Sequence, residues 1–269
     1  MPSFHYHAGL ITMSEARFDP TIPARQLTAA CRAGEALTEL AEAERPTTLA
    51  QGYATQAAFV AQLGEGTVGW KLAGASPRGL RGDLPNPPAI GTLTPSRVFK
   101  SNAVVTLPPG RQATLEVEAA FTFARAVAPA DEAFDAASMI DCATVAVEVV
   151  CSRFVDRKEV GQPSFIADNV GFHALIRGDM INHAADPLFE ADAGIWRDGE
   201  RIAESLAGDD RTKPFLSLGH LWERLAAEGA RIPAGAVVTT GTLSVPVDVA
   251  AGGDFVARVG GASLAFSLV

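Results

Sequence analysis

The sequence predicts an α+β protein in which a short helical region precedes a mixed, mostly antiparallel β-structure. Three observations lead to this prediction. Near the N-terminus, apolar residues recur at three- and four-residue spacing, as they do on one face of a helix. From Val68 onwards they form short runs or alternate with polar residues, as they do in strands. Several strand-like runs follow one another without a helix between them, which is not the pattern of a regular βαβ repeat.

Composition narrows the class of protein. The chain has 269 residues, of which 48% are hydrophobic and 20% charged, and this balance is typical of an ordered globular protein. Lys and Arg number 22 against 31 Asp and Glu, so the net charge of −9 argues against a nucleic-acid partner. No stretch approaches the ~20 apolar residues that cross a bilayer, so we expect no membrane contact. The three cysteines lie in apolar runs, which favours buried thiols and a cytoplasmic location over a disulfide framework.

We divide the chain into three parts by the change in pattern. Residues 1–19 form an N-terminal tail, 20–66 a helical subregion and 67–269 a β-rich domain that carries the candidate catalytic residues. The tail lacks a basic segment followed by an apolar run, so we expect no signal peptide. A start at Met13 stays open as an alternative, in which case residues 1–12 are an upstream extension.

The helical subregion contains two predicted helices. The first runs over Thr21–Ala43, with Leu27, Cys31 and Leu37 on its apolar stripe. The second runs from Thr48 to Leu63 and ends at the glycines that follow.

The rest of the chain is predicted mainly as strands. In order, they are Val68–Gly74, Val98–Leu107, Leu115–Phe123, Val145–Cys151, Val170–Arg177, Ile195–Ile202, Val237–Thr240, Phe255–Val259 and Ala262–Leu268. Turns at Asp198-Gly199 and Gly260-Gly261 predict two hairpins. Helices are expected over Asp131–Ile140 and Pro214–Glu228. The Gly- and Pro-rich segment between Pro77 and Pro95 is predicted to be one long loop, and such loops are often lids or binding loops.

The strand Leu115–Phe123 carries an unusual pair of charges. Alternation places its leucine, valine and phenylalanines on one face, and Glu116 and Glu118 on the other. If that face is buried, two adjacent carboxylates cost on the order of several kcal/mol. A divalent cation would remove this cost, because hard cations bind converging carboxylates. The alternative, an edge strand that turns both glutamates to water, stays open on the pattern alone.

Two further charged residues lie inside apolar runs. Glu148 is surrounded by β-branched residues, and it could either join the glutamate pair or form an ion pair with Arg153 or Arg125. Lys71 lies in the middle of a short apolar strand. It could snorkel at the margin of a sheet, or it could act as a functional cation beside an anionic substrate.

Seven short motifs, which occur in family order over roughly residues 25–268, carry a family resemblance. They are Gly52-Tyr-Ala-Thr-Gln, Gly69-Trp-Lys-Leu, Ile90-Gly-Thr-Leu, Glu116-Val-Glu-Ala-Ala-Phe, Val147-Glu-Val-Val-Cys-Ser-Arg-Phe, Ala167-Asp-Asn and Val238-Thr-Thr-Gly-Thr. Together they resemble the fumarylacetoacetate hydrolase superfamily. Within it, the chain is most similar to the branch of 2-keto-4-pentenoate hydratases and 4-oxalocrotonate decarboxylases.

The resemblance implies a fold, a metal and a site. The fold is a mixed β-sandwich or roll of the C-terminal type of that superfamily, usually in a homo-oligomer. The metal is Mg²⁺ or Mn²⁺, held by Glu116, Glu118 and Glu148, with Lys71 as the catalytic residue beside the substrate. The substrate-binding residues that it implies are Asp168, Asn169 and Thr242.

The implied activity is that of a metal-dependent hydratase in aromatic-compound catabolism. Its substrate would be a 2-hydroxy-dienoic or 2-oxo-enoic acid, which reacts through a metal-chelated enolate. Three alternatives stay open: a 2-oxo acid decarboxylase, an acylpyruvate or diketone C–C hydrolase, and a non-catalytic binding protein on the same fold. A diketone hydrolase typically needs a histidine and a glutamate on a mobile lid, and the segment from Pro77 to Pro95 has no histidine.

The chain departs from the family pattern at three places. Ala89 stands where hydratases commonly carry an aspartate, so a pocket carboxylate is missing. Cys151 replaces an aspartate before Ser-Arg, and Val170-Gly-Phe172 adds bulk after the Ala-Asp-Asn motif. These departures put the standard five-carbon dienoate substrate in doubt more than the metal.

Overall fold

The computed structural model describes residues 18–181 and 190–269. Its helices are α1 Thr21–Ala33, α2 Leu49–Leu63, α3 Pro77–Leu80, α4 Ala136–Met139, α5 Gly161–Ala167 and α6 Pro214–Ala227. Its strands are β1 Gly69–Ala73, β2 Ala89–Leu93, β3 Val98–Lys100, β4 Ala103–Val105, β5 Gln112–Phe123, β6 Ile140–Val150, β7 Phe172–Ile181, β8 Ala193–Arg197, β9 Glu200–Ala203, β10 Val237–Thr242, β11 Val247–Ala250, β12 Asp254–Val259 and β13 Ala262–Leu268. Within the described parts of the chain, no helix is long and apolar enough to span a membrane.

The strands form two sheets. The larger has the order β2-β1-β10-β5-β6-β7-β3, with β11 paired to one end of β5, and the smaller has the order β4-β13-β12-β8-β9. Pairs β1–β10, β3–β7 and β4–β13 are parallel, and the other pairs are antiparallel. Strands β5, β6 and β7 pack against strands of the smaller sheet. The predicted class, a mixed and mostly antiparallel β-sandwich with flanking helices, is therefore confirmed.

The alternation of residues along β5 determines where the core lies. Leu115, Val117 and Phe121 are fully buried in the large apolar cluster between the sheets. Ala120, which points to the opposite face, packs in a separate and smaller cluster. As predicted, β5 therefore has one apolar face and one face that carries the glutamates. A shift of the strand by one residue would exchange the two faces.

The first helix is shorter than the sequence predicts. It ends at Gly34, whose left-handed φ of 67° closes the last turn, as glycine commonly does at a helix C-terminus. Leu37 is therefore not helical: its N–H donates to the Arg153 carbonyl at 2.8 Å. The second helix begins as predicted, because Thr48 and Gln51 form a capping box. Helix α2 packs against α1 and α5. The three-part division of the chain stays a prediction, and residues 1–17 of its tail lie outside the described residues.

Three other predictions need correction, and one strand was missed. The run Val98–Leu107 is two strands in different sheets, because the chain turns at Asn102, where φ is 69°. The segment from Pro77 to Pro95 contains α3 and β2, so it is not one long loop. The helix expected over Asp131–Ile140 is reduced to α4, and β6 begins at Ile140. Strand β11 was not expected. Both predicted hairpins are present, at β8–β9 and β12–β13.

A buried histidine lies near the edge of the larger sheet. His173 on β7 is only 7% exposed, and its Nε2 lies 2.9 Å from the Thr106 carbonyl oxygen. Burial lowers the pKa of His173 to about 4, and the positive charges of Arg97 and Arg153 act in the same direction. The folded protein therefore keeps this imidazole neutral at pH values where an unfolded chain would protonate it.

We expect the neutral His173 to make the free energy of unfolding depend on pH. Between pH 6.5 and about 4 the unfolded state binds the extra proton, so this contribution to stability is lost as the pH falls. His173→Gln keeps a donor for the Thr106 carbonyl but cannot titrate. Urea unfolding should show wild type losing roughly 2–3 kcal/mol more than the variant across this window. Identical pH profiles for the two proteins would show that His173 is not held neutral.

Candidate metal centre

The three glutamates found in apolar runs lie together on one face of the larger sheet. Strands β5 and β6 are antiparallel neighbours, and their register places Glu116 directly opposite Glu148. Glu118 is two residues further along β5 and therefore points to the same face. One carboxylate oxygen from each of the three residues lies within 4.8 Å of the others. The arrangement is thus a consequence of strand register.

This cluster is buried, and its charges repel one another. Glu118 is 0% exposed and Glu148 is 1% exposed, while Glu116 keeps part of its surface at a cleft. Burial raises the pKa of Glu116 to about 7, and the charge of Glu148 adds to this effect. Burial also raises the pKa of Glu118 well above its usual value, and the charges of the other two carboxylates reinforce the rise.

Lys71 supplies a positive charge to the cluster. It lies on β1, is 2% exposed, and its Nζ is 2.8 Å from Glu148 Oε1. The alternative in which Lys71 snorkels at the margin of a sheet is therefore wrong. The suggested partners of Glu148 are also engaged elsewhere, since Arg153 pairs with Asp168 and Arg125 with Glu132.

A bulge in β10 supplies a further compensating contact. The N–H of Gly241 donates to Glu118 Oε2 at 3.0 Å. Gly241 has a φ of 101°, and a Cβ at this position would lie only 2.8 Å from the Thr212 hydroxyl oxygen. A residue other than glycine would therefore disturb the backbone that directs this N–H toward Glu118.

The polar atoms that remain unpaired make the cluster suitable for a cation. Glu118 Oε1 and Glu148 Oε2 are buried, and neither has a hydrogen-bond partner within the described parts of the chain. One ammonium group cannot neutralise three carboxylates. Hard divalent cations prefer carboxylate oxygens, and Mg²⁺ is commonly bound through a small number of them. The donor set therefore fits Mg²⁺ or Mn²⁺.

A cleft of about 400 Å³ opens above the cluster. Lys71 and Glu116 reach it from the sheet, which forms its floor. Its other lining residues are Ala73, Asn86, Val150, Arg157, Lys158, Gly161, Gln162, Phe165 and Val170. The wall thus comes mainly from the segment between β6 and α5, from α5 itself and from the residue that follows the Ala-Asp-Asn motif. A small molecule that entered the cleft would reach Glu116 and Lys71.

Solved structures resemble this arrangement of sheets and helices. 4-Oxalocrotonate decarboxylase from Pseudomonas putida G7, complexed with magnesium and adipate, superimposes with a TM-score of 0.77 at 21% identity, over 93% of this chain and 97% of the other. The same enzyme with calcium and acetate gives 0.74 at 22% identity, with the same coverage of both chains. A protein from Yersinia pestis CO92 assigned to the fumarylacetoacetate hydrolase family gives 0.55 at 18% identity, over 74% of this chain and 92% of the other.

The chain has the fold of the fumarylacetoacetate hydrolase superfamily. The resemblance drawn from the seven motifs is thus confirmed at the level of the fold. No protein-family model and no curated protein sequence matches the chain.

In this superfamily fold, Asp168 lies behind the cleft and not in its lining. The carboxylate is 0% exposed, and it accepts hydrogen bonds from the Ser152 hydroxyl at 2.7 Å and the Arg153 N–H at 3.0 Å. The Arg153 guanidinium also donates to it through Nε. Asp168 is thus the counter-charge of Arg153 within the protein. Its predicted contact with substrate stays a prediction.

Asn169 and Thr242 also make bonds within the protein. The Asn169 side chain accepts from the Thr92 N–H at 2.7 Å and donates to the Thr92 carbonyl at 2.8 Å, so it holds β2 in place. Thr242 lies opposite Glu118 in the register, and its hydroxyl donates to the Ser244 carbonyl at 2.7 Å. Their predicted roles in substrate binding stay predictions.

Two features of residues near the site, an unpaired hydroxyl and a strained backbone, were not found from the sequence. Thr239 lies beside Lys71 in the register of β1 and β10, and its buried Oγ1 has no hydrogen-bond partner in the described chain. Val170 adopts a φ of 53°, which is rare for a β-branched residue, and it lines the cleft. A threonine in a strand and a valine in an apolar run give no sequence signal of either property.

We expect Asp168→Asn to destabilise the protein by about 3–5 kcal/mol, because it leaves the buried Arg153 guanidinium without its counter-charge. Asp156→Asn is the matched control, since this exposed carboxylate only accepts the Lys158 N–H at 2.8 Å. The control should change stability by less than about 0.5 kcal/mol. Thermal and denaturant unfolding measure both effects. A fully stable Asp168→Asn variant would contradict the structural role.

Glu118→Gln should have opposite effects with and without metal. In chelator at about pH 8 it removes one of three repelling carboxylates, so the variant should be more stable than wild type by roughly 1–3 kcal/mol. Mn²⁺ at about 100 times its Kd should stabilise wild type by about 2.7 kcal/mol and the variant much less. The exposed Glu159→Gln is the control, and it should follow wild type in both conditions. Equal stabilisation of wild type and Glu118→Gln by Mn²⁺ would exclude Glu118 as a ligand.

Proposed function

We propose that the protein is a divalent-metal-dependent lyase that acts on a 2-oxo or 2-hydroxy-enoic acid. The observation that carries the proposal is the buried cluster of three carboxylates with Lys71, placed at the floor of a cleft of about 400 Å³. The chain has the fold of a decarboxylase whose solved structures contain magnesium or calcium and a carboxylic acid. The same divalent chemistry suits the donor set of this chain.

In this proposal, Glu116, Glu118 and Glu148 hold Mg²⁺ or Mn²⁺. Bound there, the cation supplies Lewis-acid stabilisation of the enolate that forms when a 2-oxo acid loses a proton or a carbon group beside its carbonyl. The glutamates fix the position of the charge without reorganisation, because their strands set their spacing. The partly exposed Glu116 also borders the space that a substrate would fill.

Lys71 holds the proton that the reaction needs. Its Nζ lies 2.8 Å from Glu148 Oε1, and this contact directs a protonated amine into the floor of the cleft. From that position the ammonium group can stabilise negative charge on the substrate oxygen, or it can donate a proton from Nζ to the substrate carbon. The apolar side chains of Val150, Phe165 and Val170 line the same cleft, and they strengthen these electrostatic interactions by excluding water.

Decarboxylation is the second candidate reaction, and one observation favours it over hydration. Water addition needs a group that activates water, and Ala89 stands where hydratases commonly have a carboxylate. Apart from Glu116, no acidic or histidine side chain belongs to the described lining of the cleft. Loss of CO₂ requires only that the enolate be stabilised and then protonated. A diketone hydrolase typically uses a histidine with a glutamate, and the described lining of the cleft has no histidine, which weighs against that reaction.

A spectrophotometric screen tests the proposal. Dienoate, oxalocrotonate and acylpyruvate substrates would be offered with Mg²⁺ or Mn²⁺, and CO₂ release would be measured in parallel. Loss of dienol absorbance without CO₂ indicates hydration, and CO₂ release indicates decarboxylation. No turnover of any 2-oxo acid would favour the non-catalytic binding protein.

Lys71→Met should lower kcat for the substrate found in this screen by about 10²–10⁴-fold, because the variant loses the proton donor. Its Mn²⁺ affinity should be retained, since the three carboxylates remain, and titration calorimetry measures this separately. The exposed Lys100→Met is the matched control and should keep the wild-type kcat. Undiminished kcat in Lys71→Met would remove Lys71 from the mechanism.

A further inference from the structure

A second pocket, of about 330 Å³, lies apart from the cleft, and no described residue lines both. We call it the arginine pocket, because Arg32, Arg97, Arg111 and Arg153 all line it. These residues come from four separate segments: the end of α1, the turn before β3, the turn before β5 and the segment after β6. Cationic side chains thus converge on one space in a chain whose net charge is −9.

The positive charge of the arginine pocket is only partly neutralised. Asp168 pairs with Arg153, and the C-terminal end of α1 contributes about half a negative charge. Glu35 is the single acidic residue in the described lining, and it is exposed. Burial lowers the pKa of His173, which also lines the pocket, and the charges of Arg97 and Arg153 act in the same direction. The imidazole therefore lies in a positive electrostatic field.

Two of the arginines keep donors for a ligand. Within residues 18–181 and 190–269, the half-buried Arg97 forms no ion pair and no side-chain hydrogen bond. The Arg111 guanidinium is held by its Nη2, which donates to the Ser152 and Phe154 carbonyls at 2.8 and 2.7 Å. Its Nε and Nη1 donate to no residue in the same ranges. A ligand would therefore meet one guanidinium that is already fixed and one that has no competing partner.

The arrangement of these donors favours a phosphate group over a carboxylate. A carboxylate is planar and accepts through two oxygens, which suits a single guanidinium. A phosphate group has at least three acceptor oxygens in a tetrahedral arrangement and a charge of about −1.5 to −2 at pH 7. It can therefore accept from guanidiniums that approach from different directions. The volume also leaves room for a small organic group, which Leu107, Pro108 and Pro109 would contact.

We propose that the arginine pocket binds a phosphate-bearing small molecule through the guanidiniums of Arg97 and Arg111. Free phosphate and a phosphate monoester present the same oxygens to these groups. The assignment is independent of the proposed function, since no described residue of the pocket belongs to the glutamate cluster or to the lining of the cleft.

Titration calorimetry with inorganic phosphate, glycerol 3-phosphate and malonate tests the proposal. The full chain is first stripped of divalent metal, so that phosphate cannot bind a metal in the cleft. Wild type should bind at least one of the two phosphates about 10-fold more tightly than malonate, a dianion that has only carboxylates. Tight binding of glycerol 3-phosphate identifies a monoester as the ligand, and tight binding of inorganic phosphate alone identifies the free ion.

Arg97→Gln should weaken phosphate binding by about 10- to 100-fold, as expected for the loss of a charge-assisted hydrogen bond. Arg97→Lys keeps the charge but loses the planar fork, so its affinity should lie between those of Arg97→Gln and wild type. Because Arg97 makes no side-chain bond within the described chain, both variants should fold normally, and thermal unfolding in phosphate-free buffer checks this.

Two controls remove the same charge elsewhere. Arg231→Gln changes an exposed position outside the pocket, and Arg157→Gln removes a cation from the cleft. Both should keep the wild-type phosphate affinity within about twofold, because distant charges are screened by salt. The proposal is overturned if wild type binds neither phosphate, or if it binds malonate equally well. Unchanged affinity in Arg97→Gln, or an equal loss in either control, would overturn it too.

Discussion

Three carboxylates and one ammonium group share a buried space on one face of the central sheet, and the arrangement of the site depends on this cluster. The Lys71–Glu148 pair offsets one negative charge, and the Gly241 N–H offsets part of another. Burial of the remaining charge disfavours the ionised glutamates, as the raised pKa values of Glu116 and Glu118 show. A fold that keeps such a cluster gives up stability that an apolar face would provide.

Strand register is what brings the cluster together. Glu116 and Glu148 are 32 positions apart in the sequence, yet β5 and β6 place them directly opposite each other. The apolar face of β5 fixes this register, because Leu115, Val117 and Phe121 must lie between the two sheets. The same packing that forms the core therefore positions Glu116 and Glu148. Lys71 joins them through β1, which lies two strands away from β5 in the same sheet.

The sequence predicted the parts of the molecule that depend on local pattern. Strand alternation located both faces of β5, and a charge inside an apolar run singled out Lys71 and Glu148. Features that depend on distant partners were missed or misplaced. Helix α1 ends early, at Gly34, because the chain beyond it pairs with the segment around Arg153. The apolar run predicted as one strand turns at Asn102, so its two halves lie in different sheets. The ion pair of Arg153 with Asp168 and the contact of Arg157 with the Phe165 ring were also missed, because they form only in the folded chain.

The floor and the wall of the cleft are built from different parts of the chain. The floor comes from β1, β5 and β6, whose glutamates and lysine lie in the motifs that resemble those of the superfamily. The departures from those motifs lie elsewhere: Ala89 is on β2, Val170 lines the wall, and Cys151 begins the segment that carries Arg157. Rigid strands thus hold the charged groups of the floor, while the connecting segments shape the space above them. The wall can therefore vary in shape while the buried charges of the floor stay as they are.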